Sequence, residues 1–220
     1  MILEELRKEI LAVSQSLIDK GVISDGQGNI SAFAKEEGLI AITPSAVPYA
    51  DREPRDICVV DKEGSLIEGR WQPTSEMALH LVFYRDRSDV SAVVHTHPPY
   101  TTVFGIIGSK PMPMVLNEAA MGLGGEVPVA PYGRPGTEEL AEITCRAAGG
   151  GTAAIMAHHG LVTVGETLPQ AVISTIAAED TARAIILARS MGEQVQALAE
   201  AEVAVLREMF LGYQPQRADR

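Results

Sequence analysis

The sequence is poor in basic residues and in cysteine, and each shortage excludes a class of protein. Lys and Arg total 18 against 29 Asp and Glu, so the formal net charge is −11. A surface of this charge does not attract nucleic acid or anionic membranes, and we expect neither as a partner. Cys58 and Cys145 form no CxxC pair. Their spacing argues against a disulfide framework or a thiolate metal site and predicts two buried thiols.

Long apolar runs are also missing. No run approaches the roughly 20 residues that a transmembrane helix needs. The first ten residues, MILEELRKEI, carry acidic side chains where a secretory signal peptide has basic ones. We therefore expect a cytoplasmic protein. Its 220 residues, 46% of them hydrophobic, predict a single domain that spans residues 1–220.

The hydrophobic pattern predicts a mixed α/β fold. Apolar residues spaced three and four apart predict an opening helix over 3–20, which Gly21 ends. Further helices are predicted over about 75–86, after Thr137, over about 169–191 and over about 194–211. Short alternating or β-branched runs predict the strands NISAFA, LIAIT, DICVV, VSAVVH, AAIMAH and LVTV. Several strands follow one another without a helix, so we expect a helix-covered sheet and no strict βαβ alternation.

Four of the five histidines fall in two short clusters, His95-Thr96-His97 and His158-His159. Side chains at i and i+2 of a strand point to the same face, so His95 and His97 present two imidazoles to one point. A third imidazole from His158 or His159 completes a three-histidine set with an open fourth position. This is the arrangement of a catalytic zinc site.

A carboxylate, Glu76, stands where a helix is predicted to begin. We expect Thr74 or Ser75 to cap that helix, and hydroxyls with free N–H groups at a helix start also suit a phosphate. Beside three candidate metal ligands, Glu76 becomes a candidate general acid/base. His80 lies four residues after Glu76, and we interpret it as a partner of Glu76 or a residue lining the helix face.

Two further turns have the composition of anion-binding loops. GQGNIS at 26–31 offers glycine backbone and the Asn29 amide, and ITPSA at 42–46 carries hydroxyl groups at a strand end. Each turn alone is a weak signal. Together with the histidines and the hydroxyls before Glu76, they suggest a small phosphorylated substrate held by neutral donors, which agrees with an acidic protein.

The motifs GQGNIS, ITPSAVPY, QPTSEMALH, VVHTHPP, VPVAPYG and AHHGLVTVG occur in this order. As an ordered set they closely resemble the class II aldolase/adducin family, over roughly residues 5–213. The resemblance implies a three-layer α/β/α sandwich with a largely antiparallel central sheet. It also implies a homotetramer with active sites at subunit interfaces. The apolar residues Met209-Phe210-Leu211 beside Tyr213 predict in addition that the C-terminal tail, 209–220, docks on a neighbouring subunit.

The resemblance also implies roles for individual residues. The metal, Zn²⁺ with Mn²⁺ or Co²⁺ as alternatives, would be held by His95, His97 and His159. Glu76 would occupy the free position on the metal and transfer protons once substrate displaces it. The implied phosphate pocket consists of Gly28, Asn29, Ser45, Ala46, Thr74 and Ser75.

Three places in the sequence can be compared directly with functional positions of the family. Ala46 stands where the family turn ends in glycine, which crowds the phosphate loop. Tyr213 corresponds to a tyrosine that acts across the subunit boundary in the aldolases. The segment VLNEAA at 115–120 lacks the tyrosine that protonates the departing fragment in the aldolases. Glu118 in this segment lies close to where related dehydratases have a catalytic glutamate, and is otherwise a solvent-facing acid.

The expected reaction is retro-aldol cleavage of a ketose 1-phosphate into dihydroxyacetone phosphate and an aldehyde, which makes the protein a lyase. The implied substrates are L-fuculose 1-phosphate, ribulose 1-phosphate and 5-deoxy or methylthio analogues. Alternatives on the same metal platform are a pentulose-5-phosphate 4-epimerase, a methylthioribulose-1-phosphate dehydratase and a 3-oxo-tetronate-phosphate decarboxylase. A non-catalytic adducin-like module is the alternative from another class.

Overall fold

A mixed sheet forms the centre of the computed structural model, which describes residues 1–24, 26–108 and 110–212. Within these residues the helices are α1 (Glu4–Asp19), α2 (Met77–Asp86), α3 (Pro99–Ile107), α4 (Asn117–Leu123), α5 (Glu138–Ala148), α6 (Leu168–Ser190) and α7 (Glu200–Gly212). The strands are β1 (Asn29–Ala34), β2 (Leu39–Ile42), β3 (Cys58–Val60), β4 (Leu66–Glu68), β5 (Ala92–Thr96), β6 (Val129–Ala130), β7 (Ala153–Met156) and β8 (Gly160–Gly165).

The eight described strands lie in the order β4-β3-β2-β1-β5-β8-β7-β6. All neighbours are antiparallel except β6 and β7, which are parallel. Helices cover both faces: α1, α3, α4, α6 and α7 pack on one, and α2 and α5 on the other. The predicted three-layer α/β/α sandwich with a largely antiparallel sheet is therefore confirmed.

The alternation of side chains along β1 determines which of them face the core beneath α1 and which face α2. Ile30 and Ala32 are buried in the cluster beneath α1. Asn29 and Ser31 point to the opposite face because successive strand side chains alternate, and there they meet residues of α2. One short strand thus supplies apolar residues to the core and polar residues to the layer of α2.

Several predicted elements match the structure closely. The opening helix ends before Gly21, which has the expected positive φ of 69°. The hydroxyl of Thr137 accepts a hydrogen bond from the Leu140 N–H and caps α5 as predicted. Cys58 and Cys145 are free and buried. No helix within the described part of the chain is long and apolar enough to cross a membrane.

Some element boundaries were predicted wrongly. The N-cap of α2 is Glu76 and neither Thr74 nor Ser75, although the Thr74 hydroxyl accepts from the Glu76 N–H at 3.3 Å. The last helix begins at Glu200, six residues later than predicted, and the Pro- and Gly-rich segment 98–136 contains α3 and α4. Both helices are short. The helix α3 also starts at a proline, which is favourable in the first turn of a helix but is taken in sequence analysis as a sign that no helix continues there.

Candidate metal centre

Three imidazoles meet where β5 ends and β8 begins. His95 is the penultimate residue of β5, His97 follows it by two, and His159 directly precedes β8. The three ring centroids are 4.8 to 4.9 Å apart. The Nε2 atoms of His95 and His97 are separated by 2.9 Å. The pairing of β5 with β8 therefore joins the two histidine clusters of the sequence.

Backbone packing fixes the orientation of these rings. Nδ1 of His95 donates to the Leu161 carbonyl at 2.9 Å, so the Nε2 atom is directed at the cluster. Gly160 allows close approach of the strands, because a Cβ there would lie 2.4 Å from the Thr96 carbonyl oxygen. His158 has a φ of 58°, and its side chain is exposed. This turn directs His159, and not His158, toward the cluster.

Glu76 completes the cluster from the start of α2. Its Oε2 lies 2.9 Å from Nε2 of His95, and its Oε1 lies 3.3 Å from Nε2 of His159. Oε2 also accepts a hydrogen bond of 3.1 Å from Nδ2 of Asn29. One ligand atom from each of the four residues Glu76, His95, His97 and His159 lies within 4.8 Å of every other.

Burial and the charges of the histidines act in opposite directions on the pKa of Glu76 and in the same direction on the pKa of His97. Burial raises the pKa of Glu76, but the hydrogen bond and charge of His95, the charge of His159 and the Asn29 hydrogen bond hold that pKa well below its usual range. Burial and the neighbouring positive charges lower the pKa of His97 to about 4. Burial also lowers the pKa of His159. At neutral pH Glu76 is therefore a carboxylate and His97 and His159 are neutral imidazoles, which are the protonation states in which these groups bind metal.

The chemistry of the donor set fits a divalent cation. Oε1 of Glu76 and Nδ1 of His159 are buried and have no hydrogen-bond partner among the described residues. The facing Nε2 atoms and the carboxylate oxygens are electron-rich, and such a group is stable only with positive charge among them. Three imidazoles with one exchangeable position are the ligand set of catalytic zinc sites.

The three turns that were predicted to bind an anion converge next to this cluster. The Ser45 N–H donates to the Gln72 carbonyl at 2.9 Å, and the Thr74 N–H donates to the Thr43 carbonyl at 3.1 Å. The Thr43 hydroxyl accepts from the Ile30 N–H at 3.1 Å, which ties both turns to the start of β1. These hydrogen bonds therefore bring three hydroxyl- or amide-bearing segments that are far apart in sequence into one region beside the start of β1.

The remaining predicted residues have different surroundings. Gly28 has a φ of 75°, and a Cβ there would lie 2.6 Å from the His95 carbonyl oxygen, so glycine is needed for packing against the His95 backbone. Ala46, Ser75 and Glu118 are exposed, and Glu118 lies in the first turn of α4. Tyr213 and the tail beyond it lie outside the described residues.

His80 differs from its prediction. It is fully buried, and its ring contacts Asn29 and Ser31 instead of Glu76. The sequence held a signal for this arrangement: Asn29 and Ser31 share one face of a strand, and His80 is one helical turn after Glu76. The Leu161 carbonyl was missed because a backbone group carries no residue-specific signal.

This fold and cluster define a class of protein. The chain belongs to the class II aldolase/adducin family: the family model described as Class II Aldolase and Adducin N-terminal domain matches residues 8–186. The family predicted from the ordered motifs is therefore confirmed.

Individual relatives are named as aldolases, which are lyases. The 5-deoxy-D-ribulose 1-phosphate aldolase of Bacillus thuringiensis serovar kurstaki is 35% identical over 213 residues, covering 97% of this chain and 99% of that protein. A 5-methylthioribulose-1-phosphate/5-deoxyribulose-1-phosphate aldolase of Rhodospirillum rubrum is 35% identical over 177 residues, covering 80% of this chain and 78% of its own. A solved L-fuculose 1-phosphate aldolase superposes with a TM-score of 0.89 at 31% identity, covering 94% of this chain and 96% of that one.

Proposed function

We propose that this protein is a metal-dependent aldolase that cleaves a ketose 1-phosphate into dihydroxyacetone phosphate and an aldehyde. The observation that carries the proposal is the cluster of one carboxylate and three imidazoles within 4.8 Å. We propose Zn²⁺ as the metal, with Mn²⁺ or Co²⁺ as alternatives, and His95, His97, His159 and Glu76 as the residues that hold it.

The phosphate would be bound by neutral groups of the three convergent turns. We assign this role to Gly28, Asn29, Ser45, Ala46, Thr74 and Ser75. The backbone hydrogen bonds of Ser45 and Thr74 support the assignment because they hold the two hydroxyl-bearing turns together. Backbone N–H groups and hydroxyls bind phosphate without a basic residue, which suits a chain of net charge −11.

Cleavage breaks the bond between carbons 3 and 4 and leaves negative charge on carbon 3 and the neighbouring carbonyl oxygen. A divalent cation held by neutral imidazoles would supply the positive charge that stabilises this anion. Glu76, at the edge of the cluster, would return a proton to carbon 3. Tyr213 or Glu118 would take the proton from the oxygen on carbon 4, which becomes the aldehyde.

We propose 5-deoxyribulose 1-phosphate and its 5-methylthio analogue as the first substrates to test. Two relatives that are 35% identical to this chain carry these substrates in their names. L-fuculose 1-phosphate and ribulose 1-phosphate follow them. We further propose a cytoplasmic homotetramer; two free buried thiols agree with a reducing compartment.

The test is to load the protein with Zn²⁺ and measure dihydroxyacetone phosphate released from each of these four ketose 1-phosphates. Release from one or more is the expected result, and release from none contradicts the proposal. An epimer, a dehydrated product or carbon dioxide from the corresponding sugar acids would instead identify one of the related reactions on the same platform.

The metal assignment has a matched pair of variants. His159→Asn should lose most of the bound metal because it removes one imidazole of the cluster. His158→Asn should retain it, because His158 is exposed and asparagine tolerates the left-handed conformation found there. Metal content is measured by elemental analysis of both dialysed proteins. Equal metal content in the two variants would contradict the assignment.

A further inference from the structure

A chain of hydrogen bonds connects Glu76 to the interior behind the metal cluster. Nδ2 of Asn29 donates to Glu76 at 3.1 Å, and Oδ1 of Asn29 lies 2.5 Å from Nε2 of His80. Nδ1 of His80 lies 2.6 Å from the hydroxyl of Ser31, and that hydroxyl lies 2.6 Å from the hydroxyl of Tyr84. The chain links side chains of β1 with side chains on successive turns of α2.

The donors and acceptors of this chain can be assigned from its ends. A carboxylate only accepts, so the amide of Asn29 must turn its NH₂ group to Glu76 and its oxygen to His80. Nε2 of His80 must then carry the proton. A neutral imidazole has one acceptor nitrogen, so Nδ1 accepts from Ser31, and Ser31 in turn accepts from Tyr84.

The surroundings of His80 maintain this arrangement. The imidazole is fully buried, and burial together with the charge on His95 lowers its pKa to about 3, so it stays neutral. Burial also raises the pKa of the Tyr84 hydroxyl, which therefore remains a donor. All donors point toward Glu76, and hydrogen bonds aligned in one direction strengthen one another in a low-dielectric interior.

We propose that His80 is a positioning residue: as the Nε2–H tautomer it fixes the Asn29 amide so that Nδ2 holds the Glu76 carboxylate between His95 and His159. Without the His80 donor, the Asn29 oxygen would be buried without a partner, and the amide could rotate its oxygen toward the carboxylate. Glu76 would then lose a donor and face a repulsive oxygen. The catalytic consequence rests on the proposed function, whereas the tautomer and the amide orientation do not.

The first experiment measures the tautomer directly and needs no substrate. The full chain is labelled with ¹⁵N-histidine, freed of metal, and examined by long-range ¹H–¹⁵N NMR at neutral pH, with a His80→Gln sample to assign the signals. The expected spectrum has a protonated Nε2 and an unprotonated Nδ1 for His80. A protonated Nδ1, or a doubly protonated ring, would overturn the inference.

The second experiment uses a pair of variants of equal size. His80→Gln keeps a side-chain N–H that can donate to Asn29, and His80→Met has none. With Zn²⁺ bound and a cleaved ketose 1-phosphate, the Met variant should lose about 100-fold in kcat, because a misplaced proton-transfer group slows the chemical step. The Gln variant should recover at least about tenfold of this loss.

Controls separate positioning from damage to the fold. Metal content should be similar for the Gln and Met variants, since both keep the three imidazoles of the cluster. Urea unfolding should show that both variants are folded, with Met the less stable because it leaves the Asn29 oxygen without a partner. Equal kcat values for Gln and Met would overturn the positioning role. If the wild-type protein cleaves none of the ketose phosphates, the proposed function fails, and the NMR measurement still decides whether His80 holds Asn29 in the inferred orientation.

Discussion

Ala46 has a backbone conformation that favours glycine. Its φ is 57°, and its side chain is exposed in the turn that carries Ser45. The left-handed region costs a residue with a Cβ roughly 1 kcal/mol. Ala46→Gly should therefore raise the free energy of unfolding by up to about 1 kcal/mol, as measured by urea denaturation.

The matched control for this prediction is Ala204→Gly. Ala204 is also exposed but lies in the interior of α7. Glycine there should lower the free energy of unfolding by about 0.5–1 kcal/mol, because it increases the freedom of the unfolded chain without relieving strain. Destabilisation by both substitutions would show that the Ala46 conformation is not strained.

His80 should also make stability depend on pH. Its pKa of about 3 in the folded protein, set by burial and the charge on His95, lies below the usual 6.5. As pH falls below 6.5 the unfolded chain binds a proton that the folded chain does not, so stability falls with pH. In the metal-free protein, lowering pH from 7 to 5 should cost the wild type about 2 kcal/mol more than His80→Gln in urea unfolding. Parallel pH profiles would contradict this.

At the scale of elements, α6 holds the start of α3, which follows His97 of the candidate metal centre. The buried carboxylate of Glu179 accepts hydrogen bonds from the N–H groups of Tyr100 and Thr101 and from the Thr101 hydroxyl, at 2.7 to 2.9 Å. These N–H groups belong to the first turn of α3, which has no carbonyl partner for them. Glu179 therefore caps α3 from another helix and fixes the chain that follows His97.

Removing this cap should destabilise the protein. Glu179→Ala leaves buried donors without partners, and we expect a loss of about 2–4 kcal/mol in the free energy of unfolding. Urea denaturation measures the loss. Asp180→Ala is the control, because Asp180 is exposed, and it should change stability by less than about 0.5 kcal/mol. Similar values for the two variants would contradict the capping role.

At the scale of the whole molecule, the prediction concerns the C-terminal tail. Val203 and Leu206 of α7 are buried, and Arg207 donates to the carbonyls of Met121 and Gly122. These contacts anchor α7 within its own chain. A chain that ends at Gly212 should therefore keep its fold and its metal but lose at least about tenfold in activity, since it lacks Tyr213.

The comparison for this truncation is full-length Tyr213→Phe, which removes only one hydroxyl. Activity, metal content and sedimentation velocity of both proteins separate the roles of the tail. Loss of activity with unchanged metal and unchanged assembly supports a catalytic Tyr213. A fully active Tyr213→Phe variant, or loss of metal on truncation, would refute that role.

Local pattern in the sequence determined much of the fold and part of the site. Periodicity predicted the opening helix and most strands, because the repeat of buried side chains directly reflects the geometry of each element. The cap at Thr137 and the shared face of His95 and His97 followed from the same local rules. Two short helices were not predicted, because α3 and α4 have too few turns for a periodic signal and α3 starts at a proline.

The tertiary structure decided what depends on contacts between distant residues. It selected His159 over His158 through a single turn, and it joined Asn29 to Glu76 across 47 positions of sequence. It also placed His80 in the interior, in contact with Asn29 and Ser31 instead of Glu76. Such contacts depend on how α2 packs against β1 and β5, and no local pattern encodes that packing. The sequence alone therefore identified the chemical groups of the candidate site, and the packing of the helices on the sheet determined which of these groups are in contact.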